Sequence, residues 1–194
     1  YKAEARSMAE LMCGSTSRNL IRVFFLQNKL KAQLPRSESP IKNIHVIGAG
    51  IMGGDIASWC ALRGFNVTLQ DRSLEDITPA LNRAETLFNK RVRGDSAREQ
   101  TKKRLISDVT GSGIAKADLI IEAIYENLEA KKALYKEVES QMKSTAILAT
   151  NTSSILLEDL RANLAQPQKF IGLHFFNPVA CLLYTSDAAD DSLR

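Results

Sequence analysis

The stretch Ile44-His45-Val46-Ile47-Gly48-Ala49-Gly50-Ile51-Met52-Gly53 decides how this chain of 194 residues is read. Ile44, Val46 and Ile47 make a short β-branched run, the composition of a buried strand. The run ends in G-x-G-x-x-G, and a helical pattern starts at about Met52. In a strand–turn–helix setting the three glycines have separate jobs. Gly48 permits the tight turn, Gly50 keeps a Cβ out of the way of a pyrophosphate, and Gly53 lets the helix pack close to the strand. The helix N-terminus then offers unpaired N–H groups to phosphates. Asp71 closes the next strand, 23 positions after Gly48. A carboxylate there can accept hydrogen bonds from ribose hydroxyls and repel a 2′-phosphate, which predicts NAD over NADP. Arg72, beside it, is the residue that would receive such a phosphate. The alternatives are a glycine-rich turn without a ligand and, for Asp71, a plain strand-end turn.

Outward from this stretch the rhythm alternates. Strands are predicted at 44–47, 65–70, 119–121, 146–149 and 170–173. Helical patterns fill 52–63, 74–93, 96–106, 129–142 and 155–163, with Gly64 where a C-cap belongs. Strands alternating with helices predict an α/β fold: a Rossmann-type, doubly wound, mostly parallel sheet covered on both faces. Two helical stretches and a linker precede it. The first carries Ala5, Met8, Ala9 and Met12 at helical spacing and breaks at Gly14, after which Ser15 or Ser17 can cap the second. The second carries Leu20, Val23, Phe24, Leu26 and Leu30, an apolar face that needs a partner. Two prolines and polar filler over 35–40 read as a linker.

Composition excludes several classes. With 44% hydrophobic and 25% charged residues the chain can bury a core, so wholesale disorder is excluded. The net charge of +4 is mild and its basic residues lie among acids, which argues against a nucleic-acid surface. The three cysteines lack metal-ligand spacing, so no metal is expected and a reducing compartment fits. No apolar run approaches the roughly 20 residues of a membrane span.

Four motifs then occur in order: Ile47–Gly54, Ile121-Glu122-Ala123 with Glu126-Asn127, Asn151-Thr152-Ser153-Ser154, and Gly172-Leu173-His174-Phe175-Phe176-Asn177-Pro178. Together they resemble the 3-hydroxyacyl-CoA dehydrogenase family over about residues 41–180. The resemblance implies NAD-dependent oxidation of (S)-3-hydroxyacyl-CoA in fatty-acid β-oxidation. It makes His174 the catalytic base, a role the imidazole suits because its pKa lies near neutrality. It places Ser153 on the substrate's 3-oxygen and near the nicotinamide. It lines the NAD site with Gly48, Gly50, Met52, Gly53, Asp71, Ile124, Tyr125, Glu126, Lys131, Ser153 and Asn177. Simpler readings stand beside these: Asn151–Ser154 as a polar loop capping the next helix, Glu122 as a strand-end charge and Lys131 as a helix-surface charge. The N-terminal segment resembles the connection in multifunctional β-oxidation enzymes, where an enoyl-CoA hydratase domain comes first. The expected division is 1–39 as the helical end of a hydratase domain with its linker, 40–180 as the NAD-binding domain, and 181–194 as a non-native tail. In the family a catalytic Glu follows the histidine by about twelve positions, where this sequence has Ser186. The implied setting is a fragment of a larger enzyme of the bacterial cytoplasm or mitochondrial matrix, with a thiolase subunit as partner. The rivals are another Rossmann hydroxyacid dehydrogenase and a non-catalytic dinucleotide-binding module.

Overall fold

The structure, a computed structural model, describes residues 1–33, 40–176 and 179. The chain divides into two compact units, 1–39 and 40–194. In the first, α1 (Lys2–Cys13) and α2 (Ser15–Gln33) follow one another. Gly14 separates them in extended backbone, at φ −68° and ψ 160°, so the break does not need glycine's left-handed range. Met8, Leu11 and Met12 on α1 and Leu20, Ile21, Val23, Phe24, Phe25 and Leu26 on α2 are all exposed.

The second unit runs β1 (Asn43–Ile47), α3 (Ile51–Leu62), β2 (Asn66–Gln70), α4 (Leu74–Arg91), α5 (Asp95–Lys103) and β3 (Leu105–Ser107). It continues with β4 (Leu119–Glu122), α6 (Leu128–Gln141), β5 (Ile147–Thr150), α7 (Leu157–Arg161) and β6 (Phe170–Gly172). The strands lie in the order β3-β2-β1-β4-β5-β6, and every pairing is parallel. Two of these helices start at a side-chain cap. Ser73 accepts from the Asp76 N–H to open α4, and Asn127 accepts from the Ala130 N–H to open α6. Acidic residues in the first turn of α4 and Lys90 and Arg91 in its last complement the helix dipole.

One strand corrects the sequence expectation. The helical pattern over 96–106 stops at Lys103, and Leu105-Ile106-Ser107 pairs with Val67-Thr68-Leu69 as a sixth strand at the sheet edge. Three residues carry too little periodicity to be told from the end of a helix. The open side of β2 decides the matter.

The two sheet faces differ in chemistry. Ile44, Val46, Val67, Leu69, Ile121 and Ala149 form a dry face, packed with Ile56, Ala57 and Ala61 of α3 and Ile77, Ala80, Ala84 and Phe88 of α4. Each large side chain buried here stabilises the fold by about 1.5–3 kcal/mol. The opposite face carries Ile47, Ile120 and Leu148 under Tyr135 and Val138 of α6 and Leu160 of α7. By strand alternation it also carries His45, Thr68, Gln70, Glu122 and Thr150. Buried polar groups need partners, and they find them in two clusters. His45 sits between the Thr68 hydroxyl at 2.7 Å and the Gln70 amide oxygen at 2.8 Å. The other cluster surrounds Glu122.

Candidate functional site

The glycine turn follows β1 at the carboxyl edge of the sheet. Gly48 has φ +103°, a left-handed value that a side chain resists, and a Cβ there would stand 2.6 Å from the Ala123 carbonyl oxygen. A Cβ on Gly53 would strike the Gly48 carbonyl, so the first turn of α3 lies hard against the strand end. A Cβ on Gly50 would meet nothing within 4 Å. The turn is therefore packed behind Gly48 and Gly53 and open at Gly50, the surface a backbone-bound diphosphate requires. Arg83 of α4 braces the turn from behind, donating from Nη2 to the Gly50 carbonyl at 3.0 Å, with its Nε 3.4 Å from Asp55. Sequence reasoning had no signal for Arg83.

Asp71, just past β2, accepts from the Ala49 N–H at 2.7 Å and from the Arg72 N–H at 2.8 Å. It is thus part of the turn's own framework as well as a wall of the opening. The Arg72 guanidinium lies 3.9 Å from Asp71 and 3.8 Å from Asp76, between two carboxylates. Gly48, Gly50, Asp71, Arg72, Ile124 and Tyr125 line one cleft of about 560 Å³. Ile47, Gln70, Val109, Ala123, Ala130 and Leu134 complete it, none of which the sequence reading placed at the cofactor site. Met52 instead packs against the apolar core.

Glu122 is the charge at the end of β4, and the reading of Lys131 as a helix-surface charge is overturned. Both are buried, at 0% and 1% exposure. Glu122 accepts four hydrogen bonds: from Ile124 N–H at 2.8 Å, Lys131 Nζ at 2.7 Å, the Tyr135 hydroxyl at 2.6 Å and the Thr150 hydroxyl at 2.7 Å. All four partners donate to it, so both carboxyl oxygens are satisfied although the group is sealed from water. Burial, and then the charge of Glu122, push the Tyr135 phenol well up, which keeps it protonated and donating. Lys131 also reaches Glu126 at 3.2 Å. Two signals in the chain could have suggested this: an acid ending an apolar strand, and Lys131 and Tyr135 spaced i, i+4 on one helix face.

Glu126 is the joint between the cleft and a second hollow. Its Oε1 accepts from the Thr152 hydroxyl at 2.7 Å, Ser153 N–H at 2.6 Å, the Ser153 hydroxyl at 3.2 Å and Ser154 N–H at 3.2 Å. Burial raises its pKa, but the Thr152 and Ser153 hydrogen bonds and the Lys131 ammonium outweigh that and hold it at about 2. The expectation that the 151–154 loop caps the next helix is corrected: α7 starts only at Leu157, with the apolar Leu156 at its N-cap and no side-chain cap, while the Thr152 hydroxyl oxygen accepts from the Ile155 N–H at 3.2 Å within the loop itself. Asn151 turns the other way and accepts from the Phe175 N–H at 2.7 Å, fixing the segment after β6. That brings His174 and Ser153 to one groove of about 420 Å³, walled by Ile155, Leu156 and Leu157. The His174 ring is exposed and tilted against Phe176, with centroids 4.6 Å apart. Asn177 and Ser186 lie outside the described residues.

Among the described residues no group of three His, Cys, Asp or Glu could hold a metal ion, and no helix is long and apolar enough to cross a membrane. A six-stranded parallel sheet with a braced glycine turn and an acid at the end of β2 defines a dinucleotide-binding domain of the Rossmann type. The description 3-hydroxyacyl-CoA dehydrogenase, NAD binding domain, matches residues 43–183. The chain belongs to that family. Its fold is similar to 3-hydroxybutyryl-CoA dehydrogenase from Escherichia coli, with 40% identity and a TM-score of 0.69 over 73% of this chain and 31% of that one. It is similar to (S)-3-hydroxybutyryl-CoA dehydrogenase from Ralstonia eutropha, with 28% identity and a TM-score of 0.68 over 79% and 59%. It is also similar to the dehydrogenase part of multifunctional enzyme 1 from C. elegans, with 31% identity and a TM-score of 0.65 over 74% and 34%. The chain thus spans less than two thirds of the length of each of these proteins.

Proposed function

We propose that this domain serves the NAD-dependent oxidation of an (S)-3-hydroxyacyl-CoA to the 3-oxoacyl-CoA in fatty-acid β-oxidation, with His174 as base and Ser153 on the substrate's 3-oxygen. The observation that carries this is the meeting of Ser153 and His174 in one groove, on a loop held by Glu126, the residue that follows the cleft residues Ile124 and Tyr125. Oxidising a secondary alcohol removes a proton from oxygen and a hydride from carbon, and NAD, when bound, accepts the hydride. An imidazole nitrogen of His174 takes the hydroxyl proton. The Ser153 hydroxyl, kept in place by Glu126, orients the same oxygen. Gly50 and the N-terminus of α3 would hold the diphosphate, and Asp71 the adenosine ribose.

Residues 1–39 fit the end of a preceding hydratase domain, because the apolar faces of α1 and α2 are exposed. A thiolase partner and a cytoplasmic or mitochondrial setting belong to the same reading of the parent protein. The test is formation of reduced cofactor from 3-hydroxyacyl-CoA thioesters by the parent protein, wild type against His174→Gln and Ser153→Ala. The His174 variant should lose at least about a hundredfold in kcat, the usual scale of general-base catalysis, while its NADH affinity stays unchanged. Unaltered turnover in His174→Gln would remove the histidine from the mechanism. Turnover of free 3-hydroxy acids but not of their thioesters would favour another hydroxyacid dehydrogenase.

A further inference from the structure

The chain Glu122–Lys131–Glu126 has two carboxylates on one ammonium, at 2.7 and 3.2 Å. Its net charge is therefore −1. Lys131 is sealed at 1% exposure and Glu122 at 0%, while Glu126 is open by about a third at 34%. The surplus charge consequently faces outward, through Glu126. The four partners of Glu122 and the hydroxyl and N–H donors on Glu126 are neutral apart from Lys131, so among the described residues no second cation pairs with it.

The position of this charge follows from the sheet order. The strand order reverses between β1 and β4, and a dinucleotide lies across that switch point. The glycine turn and Asp71 belong to the β1–β2 side, which leaves the nicotinamide half for the ends of β4 and β5. Glu126 follows β4, and its partners Thr152, Ser153 and Ser154 follow β5. The oxidised nicotinamide ring is a cation and the reduced ring is neutral.

We propose that Glu122, Lys131 and Glu126 form a fixed negative charge that biases this site toward the oxidised, cationic nicotinamide, so that Glu126 sets the ratio of NAD to NADH affinity in addition to holding the Ser153 loop. The proposal rests on the dinucleotide reading of the cleft. Hydrogen bonding holds the Glu126 pKa at about 2, so the charge is present at every pH at which the protein would be assayed. Its inner partners Lys131 and Glu122 are sealed from water, where charge is screened less than on open surface.

The experiment is isothermal titration of the chain with NAD, NADH and ADP-ribose, for wild type, Glu126→Gln and Glu126→Asp. Glu126→Gln should weaken NAD relative to NADH by about three- to ten-fold, the scale of one net charge in a half-exposed cleft. ADP-ribose, which lacks the ring, should bind as to wild type. Glu126→Asp keeps the charge but shortens the reach to the loop, so its ratio should stay within about two-fold of wild type even if both affinities fall. Glu122→Gln removes the same charge from the buried end and should move the ratio the same way. An unchanged ratio in Glu126→Gln, or an equal shift in Glu126→Asp, would overturn the charge proposal while leaving the cofactor site intact. Failure of wild type to bind NADH or ADP-ribose would overturn the dinucleotide reading and this proposal together.

Discussion

Replacing Lys131 by Met tests whether the buried network holds the site together. Methionine has nearly the same length and no charge, so the α6 packing is preserved and only the ammonium is lost. Lys131 contacts Glu122 at 2.7 Å and Glu126 at 3.2 Å from a position 1% exposed. Removing one partner of a buried ion pair costs about 3–5 kcal/mol, because the other charge is left without compensation. Glu122 would keep Ile124, Tyr135 and Thr150 as donors, which places the expected loss near the lower figure, about 3 kcal/mol. For a domain of this size that corresponds to a fall in Tm of about 6–12 °C. Urea denaturation followed by far-ultraviolet circular dichroism reads the same loss as a lower midpoint at constant m. The double variant Glu122→Gln/Lys131→Met should recover part of it, with a coupling of at least about 1 kcal/mol, because the uncompensated carboxylate goes too. A loss in Lys131→Met within about 0.5 kcal/mol, the behaviour of a surface lysine, would refute the reasoning.

Two glycines of one motif should respond in opposite ways. Gly50→Ala should leave Tm unchanged and abolish NADH binding, because its Cβ enters open space in a conformation, φ −58°, that alanine adopts freely. Gly53→Ala should destabilise by more than about 2 kcal/mol, because its Cβ meets the Gly48 carbonyl; equal Tm values for the two would contradict the packing described for the turn. Acid should lower the stability of the domain over two pH ranges. Burial lowers the pKa of His45 below 6.5, so the stability of its neutral form is complete above that pH and declines as the pH falls below it. Asp118 is held at about 2 by Lys143 and the N–H groups of Lys42 and Asn43, so its contribution is present above the ordinary value of 3.8 and is lost as the pH falls toward 2. Denaturation midpoints measured down a pH series should therefore fall less steeply below about pH 4 in Asp118→Asn than in wild type, and parallel curves would remove Asp118 from the account.

The sequence by itself determined the local features of this protein. The β-branched run, the glycine spacing and the 3.6-residue periodicity of α4 are properties of neighbouring residues, and they were enough for the parallel sheet and for Gly48, Gly50 and Gly53. Tertiary structure decided what depends on residues distant in the chain. Whether Leu105–Ser107 is strand or helix end depended on the free side of β2. Whether Lys131 is a solvated charge or a buried one depended on β4 delivering Glu122 beneath α6, and on Thr150 arriving from β5. Whether Ser153 and Ser154 cap a helix or grip a carboxylate depended on the loop after β4 placing Glu126 against them. A helix surface looks the same in sequence whether or not a strand later covers it, and a polar side chain has no fixed partner until burial removes water as the alternative.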